Sequence, residues 1–229
     1  MKFKNSIKNC IWRNSHRTVI VLHHVTDHPS ITKSSCKIST DDFVTLISDY
    51  GKFVSLPYIL SHKRGKMLSI TFDDGLKDFY DIGFPLLKRF CIPFTLFIVE
   101  DFIGKDGYMS SEEIAEILKS GLATLGSHGL SHVPLTKLSK ESIEKELIIS
   151  KNRLENRFGY PIDYFAFSHG QTNTQICSMT KDSGYSCAFG VNCQPLNFIT
   201  MSNRFDLPRV NFDLENAQEI FRKIKNYKN

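Results

Sequence analysis

Short apolar runs alternate along this chain with longer segments whose apolar residues recur at a helical period. Met67–Phe72 and Pro93–Val99 are apolar on both faces, the pattern of a buried parallel strand. Thr18–His24, Ala123–Gly126, Tyr164–Phe167, Ser186–Phe189 and Leu207–Phe212 read as further short strands. Helices are predicted between them. Thr40–Tyr50 starts at Ser39 or Thr40 and stops at Gly51, and Asp78–Phe90 contains Pro85 as a candidate kink. Ser110–Ser120 has Ser110 and Glu113 at capping-box spacing. Ser139–Phe158 places Ile143, Leu147, Leu154 and Phe158 on one face and closes at Gly159. Asn173–Ser183 and a basic segment from about Glu215 complete the set. This alternation predicts an α/β domain with a parallel sheet, open or closed into a barrel. In either form, side chains at the C-terminal ends of the strands converge on the site.

Composition narrows the picture little. The 229 residues carry 41% hydrophobic and 23% charged side chains, enough for one sizeable core. The net charge of +5 is spread along the chain, which predicts no nucleic-acid partner. The six cysteines form no C-x-x-C pair, so neither a zinc ribbon nor a disulfide scaffold is expected, and a reducing compartment is the simpler reading. Residues 1–17 form a basic segment without a signal-peptide core, and 18–229 are read as the catalytic domain. Phe3, Ile7, Cys10 and Ile11 share a helical face ringed by Lys2, Lys4, Lys8 and Arg13. That face predicts either a cap on the domain or a peripheral contact with the membrane surface, with the protein in the cytoplasm.

Chemistry concentrates at strand ends. Asp73-Asp74-Gly75 closes a buried strand, where two adjacent carboxylates are costly unless a cation or strong donors compensate. The plain alternative is a solvated turn. His128 and His132, in Ser-His-Gly-Leu-Ser-His, follow another strand at a spacing that suits two ligands of one ion. Spacing alone discriminates poorly, since His24 and His28 repeat it among only eight histidines. Asp74, His128 and His132 together make an Asp-His-His set with an open position for water, the catalytic pattern for Zn2+. Asp73 is then the candidate general base. A backbone N–H at Ser168-His169-Gly170 is a candidate oxyanion donor, unless this is only a polar loop. Arg209, on a late strand, is placed to neutralise or orient Asp73, the duller option being a surface salt bridge. There is no G-x-S-x-G elbow, P-loop or G-x-G-x-x-G.

These residues resemble the NodB-homology polysaccharide deacetylases, carbohydrate esterase family four. Ser69-Ile-Thr-Phe-Asp-Asp-Gly75 resembles the family's first motif, which implies Asp73 as base and Asp74 as metal ligand. Ser127–His132 resembles the second, H-[ST]-x-x-H, with Gly129 departing at its second place. Ile92–Ile98 and Ile143–Gly159 agree with the intervening segments, and the likeness runs from about Thr18 to Phe212. It implies a distorted (β/α) barrel of about seven parallel strands. The third motif, Arg-x-Pro-Tyr, is replaced by Ala166-Phe167-Ser168-His169-Gly170. The oxyanion role maps onto the N–H of His169, and Arg209 is the proposed replacement for the missing arginine. No Leu-x-x-His stands near the C-terminus. Val21-Leu-His-His24 resembles that motif moved to the N-terminus, as in poly-N-acetylglucosamine deacetylases that begin L-x-Y-H. This makes His24 the catalytic acid, with His23 in the tyrosine's place. In a regular strand His24 enters the pocket of Asp73 and His132, and His23 points away.

The expected function is metal-dependent removal of an N-acetyl group from an amino sugar, in a surface polysaccharide or its lipid-linked precursor. A deformylase or an O-acetyl esterase uses the same site. A metal-retaining carbohydrate-binding module without activity needs Asp74 but not Asp73.

Overall fold

The structure is a computed structural model that describes residues 17–28, 37–49, 52–62, 65–192, 194, 196 and 204–211. The amphipathic N-terminal segment and the basic segment from Glu215 lie outside the described residues. Among the described residues, no helix is long and apolar enough to cross a membrane.

Nine strands are described: β1 Arg17–Leu22, β2 His24–Val25, β3 Lys37–Ile38, β4 Met67–Phe72, β5 Phe94–Ile98, β6 Ala123–Ser127, β7 Tyr164–Ala166, β8 Cys187–Phe189 and β9 Val210–Asn211. Seven form one parallel sheet in the order β8-β7-β6-β5-β4-β1-β9, and β2 and β3 pair separately. The expected α/β barrel of seven parallel strands is what forms, as a curled, distorted half-barrel. Its last segment reaches both edges: Leu207 bridges Phe189 of β8, and Val210 pairs with Ile20 of β1. Side-chain alternation divides the core. Ile20, Leu22, Ile70, Phe72, Phe94 and Leu96 join the helices in one cluster, while Val19, Phe97, Ala166, Phe189 and Leu207 form another.

The helices are α1 Thr40–Asp49, α2 Leu56–Ser61, α3 Phe84–Arg89, α4 Ser111–Lys119, α5 Lys140–Phe158 and α6 Thr174–Asp182. Their starts follow the polar residues read from the sequence. Ser110 and Glu113 form the reciprocal capping box, Ser139 caps α5, and Gly159 ends it at φ 72°. Two helical elements depart from expectation. Helix α2, capped by Ser55 with Pro57 in its first turn, is too short to show a period. The Asp78–Phe90 helix is split into a π-helical turn, Phe79–Gly83, and α3. Pro85 has no N–H for a regular ladder, and the Phe84 N–H reaches back to Phe79 O instead.

Candidate active site

Four strand ends supply the site, and each turn is shaped to deliver its side chain. The Asp73 N–H still bonds Leu22 O at 3.0 Å, so this residue extends the β1–β4 ladder. Asp74 then turns left-handed at φ 72°, which brings two neighbouring carboxylates to one mouth instead of opposite faces. Gly75 follows at φ 81°, and a Cβ there would meet Ile98 Cδ1 at 3.0 Å. Asp74, His132 (φ 62°) and His169 (φ 58°) are three of the four non-glycine residues with positive φ among the described residues. Strained backbone clustered at the site is held there by surrounding bonds.

The loop after β6 shows what holds it. Glu146 of α5 is 7% exposed, and its carboxylate accepts the N–H groups of Leu130 at 2.7 Å and Ser131 at 3.1 Å, plus the Ser131 hydroxyl at 2.5 Å. Gly129, at φ 85°, leaves room for that carboxylate; a Cβ would lie 3.0 Å from Glu146 Oε2. The departure from the usual second motif therefore has a steric reason. Sequence reasoning missed Glu146, which lies within the amphipathic pattern of α5 as one more acidic position.

Asp74 Oδ1 lies 3.2 Å from His132 Nε2 and 3.5 Å from His128 Nε2. Among the described residues, Asp74, His128 and His132 could together hold an ion, their ligand atoms lying within 4.8 Å of one another. Tetrahedral coordination at metal–ligand distances of 2.0–2.1 Å needs ligand atoms about 3.3–3.4 Å apart, so the residues fit the ion. His128 donates from Nδ1 to Ala166 O at 2.7 Å, which leaves Nε2 with its lone pair facing the site. Burial pushes the His128 pKa down. The hydrogen bond that His132 donates to the Asp74 carboxylate raises the His132 pKa. For Asp74 itself burial acts upward, but the His132 hydrogen bond and the charges of His128 and His23 hold it well below the ordinary carboxylate range.

Arg209 meets Asp73 in a two-point pair: Nη1 donates to Oδ1 and Nη2 to Oδ2, both at 2.7 Å. The guanidinium also donates to Thr71 Oγ1 at 3.1 Å and Gly190 O at 3.3 Å, and lies 5.2 Å over the Phe97 ring. Arg209 is wholly buried and Asp73 is 2% exposed, so the surface-bridge alternative does not hold. Burial acts to raise the Asp73 pKa, but Arg209, His128 and His23 together outweigh burial and keep the carboxylate ionised.

The histidines after β1 correct one expectation. The strand ends at Leu22 and the chain bends at His23, so regular alternation stops before it reaches this pair. His23 does not point away: its Nε2 is 3.8 Å from Asp74 Oδ2. His24 hydrogen bonds through Nδ1 to Asp78 Oδ2 at 2.7 Å, a partner the sequence reading had not singled out. Among the described contacts none joins His24 directly to Asp73 or His132. The His169 ring lies 5.0 Å from that of His132. The bonds of its turn run from Gly170 N–H to Phe167 O and from Gln171 N–H to Ser168 O, leaving the His169 N–H outside them.

A parallel α/β sheet thus gathers an Asp-His-His set and a braced second carboxylate at its strand ends. Comparison with known proteins gives the class. The polysaccharide deacetylase family model matches residues 61–188, and the chain belongs to that family. It is 29% identical over 183 residues to the poly-beta-1,6-N-acetyl-D-glucosamine N-deacetylase of Staphylococcus aureus (strain MRSA252), covering 72% of this chain and 62% of that protein. YxkH of Bacillus subtilis is 28% identical over 130 residues, 57% of this chain and 46% of YxkH. The chain thus spans about half to three-fifths of these curated relatives. Among solved structures, Streptococcus pyogenes deacetylase PplD in complex with acetate has a TM-score of 0.80 at 18% identity, covering 91% of this chain and 97% of PplD. IcaB from Ammonifex degensii has a TM-score of 0.79 at 22% identity, covering 93% and 98%. These two share the fold.

Proposed function

We propose that the protein is a metal-dependent N-deacetylase acting on an N-acetylated amino sugar of a surface polysaccharide or its lipid-linked precursor. The observation that carries this reading is the second carboxylate. Asp73 is buried, ionised and clamped by Arg209 beside a separate Asp-His-His set, an arrangement that a binding module does not need. The likeness to a poly-beta-1,6-N-acetyl-D-glucosamine N-deacetylase supports an N-acetylglucosamine polymer as the substrate class.

Asp74, His128 and His132 would hold a divalent ion, zinc on the donor types. Such an ion supplies Lewis acidity toward the acetyl carbonyl and lowers the pKa of an attacking water. Asp73 accepts the proton of that water, and Arg209 keeps the base oriented and in its accepting form at neutral pH. The His169 N–H donates to the developing oxyanion. An amide leaving group must be protonated as the C–N bond breaks. His24 is the donor: Asp78 holds its Nδ1, which fixes the tautomer and leaves Nε2 to carry the transferred proton. The deciding measurement is mass-spectrometric detection of acetate loss from a panel of N-acetylated amino sugars by the metal-loaded protein. Loss of formate only, or release confined to O-acetyl esters, would replace this reading with one of its same-site rivals.

A further inference from the structure

The segment 100–109 is fastened to both loops of the candidate metal set. Glu100 N–H bonds Gly129 O at 3.1 Å and Asp101 N–H bonds Leu130 O at 3.0 Å, which ties it to the histidine loop. Met109 N–H bonds Gly75 O at 2.9 Å, Lys77 N–H bonds Gly107 O at 3.0 Å, and Tyr108 bridges Leu76, which ties it to the aspartate turn. Gly104 N–H closes the segment on itself through Met109 O at 2.9 Å. Two aromatic rings project from this frame and both stay partly exposed. Phe102 and Tyr108 lie 4.7 Å apart at an interplanar angle of 50°, a tilted rather than stacked pair. Phe102 lies 6.0 Å from the ring of His132. The Lys105 ammonium lies over the Phe102 ring, 5.2 Å from its centroid, on an exposed, flexible stem that a ligand can displace.

Neither ring belongs to the core clusters or takes part in the proposed proton and oxyanion chemistry. Partly exposed aromatic rings on a preorganised frame, continuous with a metal ligand, suit a ligand with one apolar face and a polar edge. A pyranose ring has that form: its axial C–H groups pack on an aromatic face while its hydroxyls reach water or a donor such as Lys105. We infer that Phe102 and Tyr108 form a sugar-stacking subsite beside the metal set, which holds a pyranose ring of the polysaccharide while the acetyl group reaches Asp73. The inference rests on the deacetylase reading above, and it assigns substrate recognition to rings outside all the catalytic motifs.

The test compares the zinc-loaded parent with Phe102→Ala, Tyr108→Ala and, as a surface control, Tyr58→Ala. Each is assayed on N-acetylglucosamine oligosaccharides and on p-nitrophenyl acetate, which carries no sugar, and zinc content is measured throughout. The subsite predicts a rise in oligosaccharide KM of about tenfold for either ring variant. Zinc content, p-nitrophenyl acetate turnover and the Tyr58→Ala control should stay within twofold of the parent. An unchanged KM in folded variants overturns the inference. So does a parallel loss on both substrates, which would make the rings mere supports of the centre. If the parent deacetylates no sugar, the deacetylase reading fails, and saturation-transfer NMR with the same oligosaccharide then decides the subsite alone. Transfer in the parent that is lost in both ring variants supports it, and no transfer in the parent overturns it.

Discussion

The ends of β1 and β6 carry the same sequence signal and turn it into different structures. Each places two histidines four residues apart just beyond a parallel strand: His24 and His28 after β1, His128 and His132 after β6. The β6 loop is ordered from outside itself by the buried Glu146 carboxylate and by the Ala166 carbonyl on His128. That support holds His132 in a left-handed conformation and aims two imidazoles at one aspartate. After β1 the partners differ: Asp78 takes the His24 ring, while the His28 backbone N–H turns back to Thr26 Oγ1. Spacing offers a pair of ligands, and the acceptors around the loop decide whether they converge.

The largest effects should come from the β6 side. His128→Ala or Asp74→Ala should abolish both metal content, measured by plasma mass spectrometry, and activity. Asp73→Asn should keep the metal and lower turnover by about a hundredfold to ten-thousandfold, as loss of a general base does. Equal metal loss in Asp73→Asn would mean that the two aspartates have exchanged roles.

Arg209→Met should come next. In the metal-free protein it leaves the buried Asp73 carboxylate without its guanidinium partner, so chemical denaturation should show a loss of about 3–5 kcal/mol. A stability change under about 1 kcal/mol would show that water or another group replaces the guanidinium.

Glu146→Gln tests the brace itself. A carboxamide offers one acceptor oxygen where the loop uses two, so metal affinity should fall about tenfold to a hundredfold in a protein with unchanged circular dichroism. Competition against a chelator measures this. Affinity within twofold of the parent would remove Glu146 from the argument.

The smallest and sharpest comparison is between neighbours after β1. His24→Ala should keep the metal and lower turnover about a hundredfold, and Asp78→Asn should follow it more weakly. His23→Ala should change turnover less than His24→Ala. The reverse order in kcat would assign the acid to His23, the residue 3.8 Å from Asp74.

The sequence by itself determined the architecture and most of the donor types. Strands buried on both faces, alternating with capped helices, leave a parallel sheet as the one arrangement that hides every apolar face. Local capping is legible because Ser110, Ser139 and Asn173 act on N–H groups within three residues. Asp73, Asp74, His128 and His132 were legible because strand ends in such a sheet converge. Two things were decided only by the tertiary structure. One is the choice of partners across long separations: Arg209 reaches Asp73 over 136 residues and Glu146 reaches Ser131 over 15, contacts that burial and hydrogen bonding select among many equivalent charges. The other is the aim of individual side chains where regular backbone stops. Alternation predicted that His23 faces away, but a bend one residue beyond β1 cancels alternation, and only the packed chain fixes where such a residue points.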